Sequence, residues 1–186
     1  MEEKGVLSIV GTPIGNLEDI TLRALTALNQ ADIILAEDTR VAKKLLQHYE
    51  IETKVQPFHH HSKEGAYTSI LENLGKGLQI ALISDAGTPG VSDPGNMLVK
   101  RVYEQFGEEV VIQPIPGPSA LTAALSVAGI ATDRFTFYGF LPHKKGKETM
   151  LKEISEAKNV SVFFESTHRI IKTLTSLEKL LDSDRE

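Results

Sequence analysis

Short runs of β-branched and apolar residues alternate along the chain with longer stretches whose apolar residues recur at helical spacing. Val6–Val10, Asp32–Ala36, Lys54–Phe58, Leu78–Ser84 and Val110–Gln113 read as strands, with Leu78–Ser84 the clearest buried one. Thr21–Gln30 places Leu22, Leu25 and Leu28 three residues apart and predicts a helix. Val41–Tyr49, Lys63–Lys76 and Asn96–Phe106 predict three more, the Lys63–Lys76 helix stopping at Gly75-Lys76-Gly77. Strands that alternate with helices predict an α/β fold with a mostly parallel sheet.

Pro114, Pro116 and Pro118 then stiffen one short segment, which suits a hinge. They divide the sequence into an N-terminal α/β domain, 1–115, and a C-terminal α/β domain, 116–186. The second part predicts helix Ser119–Ala128, strand Phe135–Phe140, helix Glu148–Ala157, strand Val160–Phe164 and helix Arg169–Leu181. Ile170, Ile171, Leu174, Leu177 and Leu181 are expected on one face of the last helix, a face that needs a sheet to cover. No strand follows before Asp182–Glu186, so the second domain reads as incomplete, a piece of a longer protein.

Composition narrows the function classes. With 41% hydrophobic and 24% charged residues the chain is globular rather than disordered. It has no Cys, which excludes disulfide scaffolds, thiolate nucleophiles and cysteine-held metals. Lys and Arg total 20 against 25 Asp and Glu, and the net charge of −5 argues against holding nucleic acid by bulk charge alone. Met1 to Lys4 is charged, and Val6–Val10 is too short for a signal sequence. No window approaches the ~20 apolar residues of a membrane span. The expectation is a soluble cytoplasmic protein without a membrane partner.

Several segments carry possible chemistry. Gly11-Thr12-Pro13-Ile14-Gly15-Asn16 follows the first strand, where a glycine loop can bring backbone N–H groups to a ligand. It is not a dinucleotide fingerprint, because Pro13 stands where the second Gly would be, and it lacks the Lys of a P-loop. A tight strand-to-helix turn explains it equally well. Asp85 to Gly95 is more unusual, with three Gly, two Pro and two Asp in eleven residues after the best strand. A purely structural connection there needs only about 2–6 residues. Pro118 and Ser119 can open a helix whose first N–H groups could hold an anion, or simply cap it. Glu37 and Asp38 end the second strand, where an acid can bond a ribose or cap the next helix; Arg40 can pair with a phosphate or with Asp38.

His59-His60-His61 cannot converge on one ion from an extended chain, so no metal site is expected, although one of the three can line a cleft. Lys144, Lys145 and Lys147 form a basic loop that can meet phosphates or stay solvated. Ser166, His168 and Glu165 are neighbours in sequence, which does not make a triad.

Taken in order, the Gly11–Leu17 run, Glu37-Asp38-Thr39-Arg40, Asp85 to Gly95, Pro116-Gly117-Pro118-Ser119-Ala120-Leu121 and Gly139-Phe140-Leu141-Pro142 resemble the tetrapyrrole methylase superfamily over essentially the whole chain. Ala86-Gly87-Thr88-Pro89 is similar to the branch that methylates ribose 2′-hydroxyls of 16S ribosomal RNA, and differs from the Gly-Gly-Asp-Pro loop of the porphyrin branch. The resemblance implies two α/β domains with an S-adenosyl-L-methionine cleft between them. It implies cofactor contacts at Pro13, Ile14, Ala86, Gly87, Thr88, Val91, Ser119, Ala120 and Glu165. It further implies methylation of a cytidine in 16S rRNA within the small ribosomal subunit, and a homodimer. A ribose hydroxyl is a poor nucleophile, so a base or acceptor is expected, with Asp85 first, then Glu37 or one of His59–His61. Arg40, Lys144, Lys145 and Lys147 are the expected RNA contacts. Two other readings stay open: a methyltransferase for a small tetrapyrrole-like acceptor, and a non-catalytic cofactor- or RNA-binding module. Where the family has a mixed His-acid-His-Asn stretch, this chain has His59-His60-His61-Ser62.

Overall fold

The computed structural model describes residues 4–93 and 95–181; Pro94 of the Asp85–Gly95 segment and the terminal 182–186 lie outside the described residues. The chain is α/β and divides into two compact units, Met1–Ala123 and Ala124–Glu186.

In the first unit, β1 (Val6–Val10), β2 (Ile33–Ala36), β3 (Val55–Pro57), β4 (Gln79–Ile83) and β5 (Val111–Ile115) form one sheet in the order β3-β2-β4-β1-β5. Every pairing is parallel. Between the strands run α1 (Leu22–Gln30), α2 (Thr39–His48), α3 (Glu64–Gly75) and α4 (Gly95–Phe106). Successive strand residues point to opposite faces, so each central strand feeds two cores. Leu7, Ile33, Leu35, Ile80 and Leu82 meet α3 and α4 on one face through Tyr67, Leu74, Leu98 and Val102. Val10, Ile34, Ala36, Ala81 and Ile83 meet α1 and α2 on the other through Ala24, Leu28, Ala42 and Leu46. Local signals fix the helix starts: the side chains of Thr21 and Asp38 accept the N–H groups of Ala24 and Arg40 at the heads of α1 and α2.

Two expectations are corrected here. Pro114 does not open a linker, because β5 runs on to Ile115 and pairs Pro114 with Ile9. β5 is an edge strand, and a proline without an N–H is tolerated there. Leu22 does not share a buried stripe with Leu28: it is 83% exposed, and Ala24 takes its place beside Leu28. Residues spaced by three drift around a helix of 3.6 residues per turn, whereas Ala24 and Leu28, four apart, stay on the sheet side.

α5 (Ala120–Val127) spans the division between the units, past the position read from the prolines. The second unit holds β6 (Phe135–Phe140), α6 (Lys147–Glu156), β7 (Val160–Phe164) and α7 (Ile170–Glu178). β6 and β7 pair in parallel, with an irregularity between Phe137 and Phe140 where Gly139 takes a φ of 63°. Leu141, Leu151, Ile154 and Leu177 make its core. The expected apolar face of α7 divides. Leu177 is buried, but Ile171 and Leu174 are 74% and 50% exposed, and Thr173 turns inward instead. Thr173 does so because it has polar partners inside, described below.

Leu35 is 1% exposed on β2, an interior strand of the sheet, so Leu35→Ala is expected to cost about 2–5 kcal/mol. Leu22→Ala should change stability by less than about 0.5 kcal/mol. Denaturant midpoints of the two variants check both values.

Candidate functional site

In an open parallel sheet, ligands bind beyond the carboxyl ends of strands whose following helices leave to opposite faces. β4 is such a strand on both sides. It leads to α4 on one face, while its neighbours β1 and β2 lead to α1 and α2 on the other. The loops after β1, β4 and β5 therefore meet over one edge.

Backbone contacts lock them together. Thr12 N–H donates to the Gly87 carbonyl at 2.9 Å and Gly87 N–H returns the bond to Thr12 at 3.0 Å. The buried Thr12 hydroxyl donates within reach of the Ser84 and Gly87 carbonyls, at 3.3 and 3.4 Å. Thr88 Oγ1 reaches the Pro118 carbonyl at 3.5 Å. Gly11 N–H donates to the Ile115 carbonyl at 3.0 Å, which brings the chain at Gly11 against Gly117. A Cβ on Gly117 would stand 2.9 Å from the Gly11 carbonyl oxygen, and one on Gly11 would stand 2.9 Å from Gly117 Cα. Only glycine fits on either side of that crossing. Gly87, at φ +78°, lies beside Ile14 and Pro118. Ala86, Ile14 and Val91 are exposed around it, with Pro13, Thr88 and Ser119 half-buried and Ala120 exposed. These cofactor candidates, all on the first unit, form one surface of mostly small residues around the buried Gly87.

The far end of the central loop is tied by Asp93. One carboxylate oxygen, Oδ1, accepts Gly90 N–H at 2.6 Å and Gly95 N–H at 2.9 Å. Asp93 sets the start of α4, a role the sequence reading missed, although an Asp two residues before a helical Gly is a capping signal.

Asp85 and Glu37 come together at this edge. Asp85 is exposed, and its Oδ1 accepts the Asp38 N–H at 3.0 Å. That bond joins the loop after β4 to the head of α2. Glu37 is half-buried in a small pocket with Phe58, Ser84, Pro89 and Asp93. Burial raises its carboxyl above the usual range, and the charges of Asp85 and then Asp93 add to the rise; His60 and His59 pull the other way. The histidines approach because Ala36 pairs with Pro57 and its carbonyl accepts the Phe58 N–H at 2.8 Å, so His59 follows directly alongside Glu37 and Asp38. His59 Nδ1 accepts the His61 N–H at 3.2 Å, and no group of three metal-binding side chains occurs among the described residues.

Asp38 caps α2 and also clasps Arg40, with Arg40 Nε at 3.0 Å and Nη2 at 2.6 Å. The Arg40 guanidinium holds the Asp38 carboxyl well below its usual range. Arg40 remains 86% exposed, so this pair is screened by solvent and contributes little to stability.

Glu165, Lys147 and Arg169 lie in the second unit and form a buried cluster. The Glu165 carboxylate accepts from Thr173 Oγ1 at 2.8 Å and Ser166 N–H at 2.8 Å, and pairs with Arg169 at 2.6 Å. Lys147 Nζ donates to the same Thr173 hydroxyl at 2.7 Å and lies 3.8 Å from Glu165. Arg169 also donates to the Leu141 carbonyl at 3.1 Å. Burial alone raises the Glu165 carboxyl, but the Thr173 and Ser166 bonds and the two cations outweigh it and hold it below the usual range. Lys147 is thus removed from the basic loop expected to meet RNA, because its charge neutralises a buried carboxylate. Lys144 and Lys145 stay exposed.

A fold of this kind with a glycine-knotted edge defines a class of protein, and comparison with known proteins names the family. The profile of the Tetrapyrrole (Corrin/Porphyrin) Methylases matches residues 6–186, and the chain belongs to that family. It is 49% identical over 182 residues to the Ribosomal RNA small subunit methyltransferase I of Pasteurella multocida, covering 97% of this chain and 64% of the relative. The protein of the same name from Synechocystis is 44% identical, over 97% of this chain and 64% of its own length. That from Thermotoga maritima is 46% identical, over 98% and 80% respectively. The chain therefore spans about 64% of the length of the first of these relatives. Among solved structures it shares the fold of uroporphyrin-III-C-methyltransferase from Thermus thermophilus, at a TM-score of 0.65 and 18% identity over 97% of this chain and 76% of that one. A cobalt precorrin-4 methyltransferase gives 0.68 and 19%, over 94% and 74%.

Gly117→Ala is expected to destabilise the first unit by about 1–3 kcal/mol, because backbone on both sides of the crossing must shift. Urea unfolding checks this. For Glu37 the raised carboxyl binds its proton more tightly folded than unfolded, so its contribution turns unfavourable as pH rises above the ordinary value of 4.5. Glu37→Gln should therefore raise the melting temperature at pH 7.5, with the gain shrinking to nothing toward pH 4. Thermal melts across that range check the sign.

Proposed function

We propose that the protein is an S-adenosylmethionine-dependent methyltransferase that modifies the ribose 2′-hydroxyl of a cytidine in 16S ribosomal RNA, working as a homodimer in the cytoplasm. The observation that carries this reading is the 44–49% identity, over 97% of the chain, to relatives named for small-subunit ribosomal RNA methylation. The solved tetrapyrrole methylases share the fold at under 25% identity, which gives the small-acceptor alternative no further support. No helix among the described residues is long and apolar enough to cross a membrane.

The loop surface suits such a cofactor. Ala86 is exposed beside the buried Gly87, and exposed Ile14 and Val91 offer apolar contact for a base ring. Pro13, Thr88, Ser119 and Ala120 would complete the holding set on the first unit, whereas the Glu165 carboxylate is 1% exposed and occupied by partners within its own unit. When bound, the cofactor supplies an already activated methyl group. The chain's own task is then to orient the acceptor hydroxyl and take up its proton. Asp85 suits the proton acceptor: Asp38 N–H fixes one carboxylate oxygen, and the other has no protein partner among the described residues. Glu37, made more basic by burial and by Asp85, is the second candidate. Arg40, Lys144 and Lys145 are the exposed cations for substrate phosphates.

Calorimetry with S-adenosylmethionine, followed by transfer of labelled methyl to 16S rRNA or small subunits, tests the reading. Asp85→Asn is expected to lower transfer by about 10²–10⁴-fold with cofactor affinity nearly unchanged. Cofactor binding without transfer to RNA, but with transfer to a porphyrin precursor, would reverse the assignment. Absence of cofactor binding at millimolar concentration would favour a non-catalytic module.

A further inference from the structure

Among the described helices, α2 is the one that combines several cations with no acid. Its exposed face carries Arg40, Lys43, Lys44, Gln47 and His48, at the 3- and 4-residue spacings that line up along one side of a helix. Ala42, Leu45 and Leu46 occupy the opposite, buried side. Within Thr39–His48 there are three cations and no acid, in a chain whose net charge is −5.

On α4 and α6 the exposed cations have acidic partners, whereas Arg23 of α1 and Lys172 of α7 are single cations on their helices. Lys100 faces Glu104 at 3.7 Å and Lys152 faces Glu156 at 3.8 Å, both one turn apart. Arg101 is paired with Glu64. On α2 the residue one turn beyond Arg40 is Lys44, so the favourable pairing is replaced by like charge. Arg40 also stands in the first turn, where the helix dipole disfavours a cation, and Asp38, with Asp85 behind it, offsets it. No ion pair among the described residues involves Lys43 or Lys44. Lys43 and Lys44, two exposed cations without an ion-pair partner among the described residues, point to a function outside the fold.

The stripe is also placed for use. α2 begins at the carboxyl edge of the sheet, and the bond from Asp38 N–H to Asp85 anchors its head beside the candidate base. A row of cations on a rigid helix next to that edge matches a phosphate backbone rather than a single small anion.

We propose that the exposed face of α2 is a phosphate-backbone contact for the RNA substrate, with Lys43 and Lys44 as its binding residues beside Arg40. The identity of the polyanion rests on the methyltransferase reading above; the surface itself rests on the charge pattern of α2.

The test compares the parent chain with Lys43→Gln/Lys44→Gln and Lys43→Arg/Lys44→Arg. Binding to a 16S rRNA transcript is followed by fluorescence anisotropy from about 50 to about 200 mM salt. The Gln pair should weaken binding at least about fivefold and flatten the slope of log K against log salt by about 1.4–1.8, as expected for two lost phosphate contacts. The Arg pair should restore both. Calorimetry with S-adenosylmethionine should give the parent value in every variant, which separates this contact from the methyltransferase reading itself. The melting temperature of the Gln pair should equal or exceed the parent's, because the like-charge repulsion is relieved. Unchanged RNA affinity and salt slope in the Gln pair would overturn the proposal, as would a parent chain that does not bind the transcript. So would loss of binding to anionic phospholipid vesicles in the Gln pair while RNA binding stays intact.

Discussion

The crossing of two backbone segments at Gly11 and Gly117 governs the geometry of the candidate site. β1 and β5 are neighbours in the sheet, and their outgoing chains meet with no room for a Cβ on either side. That contact brings the segment after β5 into line with the mutual backbone bonds of Thr12 and Gly87. Three loops far apart in sequence thereby become one surface. The order of events is physical: a parallel sheet with strand order β3-β2-β4-β1-β5 sets which loops are adjacent, and glycine decides how closely they approach.

Charge is arranged around this knot in two ways. At the sheet edge, burial and then the charges of Asp85 and Asp93 raise the Glu37 carboxyl, an arrangement that recurs at functional sites. In the second unit, Glu165 has every favourable partner that a buried carboxylate needs, from Thr173, Ser166, Arg169 and Lys147. The first cluster retains reactive potential. The second is a satisfied network that orders the segment from Leu141 to Lys147 against α7. It draws Lys147 away from solvent, so Lys144 and Lys145 are the lysines of that loop left exposed.

Much of the fold was legible in the sequence because the buried strands are short, β-branched and bounded by turn residues; β1 and β6 have the limits read from the pattern. Where the reading erred, tertiary context overrode a local signal. Pro114 looked like a linker residue, yet an edge strand accommodates it. The α7 stripe counted apolar residues and overlooked Thr173, which is buried for its hydroxyl and not for its methyl. The site loops were visible as dense Gly, Pro and Asp segments. Their interlocking was not, because Thr12 and Gly87, or Lys147 and Thr173, meet only after the chain has folded. The family assignment needed the motifs in their order, which no single loop supplied.

The central claim is that the knotted loops after β1, β4 and β5 form the cofactor cradle. Amide hydrogen exchange with and without S-adenosylmethionine tests it most directly. Thr12 and Gly87 already protect each other in the free chain, so their amides should exchange slowly in both states. The exposed amides around Ile14, Ala86 and Val91 should gain protection on addition of the cofactor. Protection that appears elsewhere, with these amides unchanged, would contradict the account.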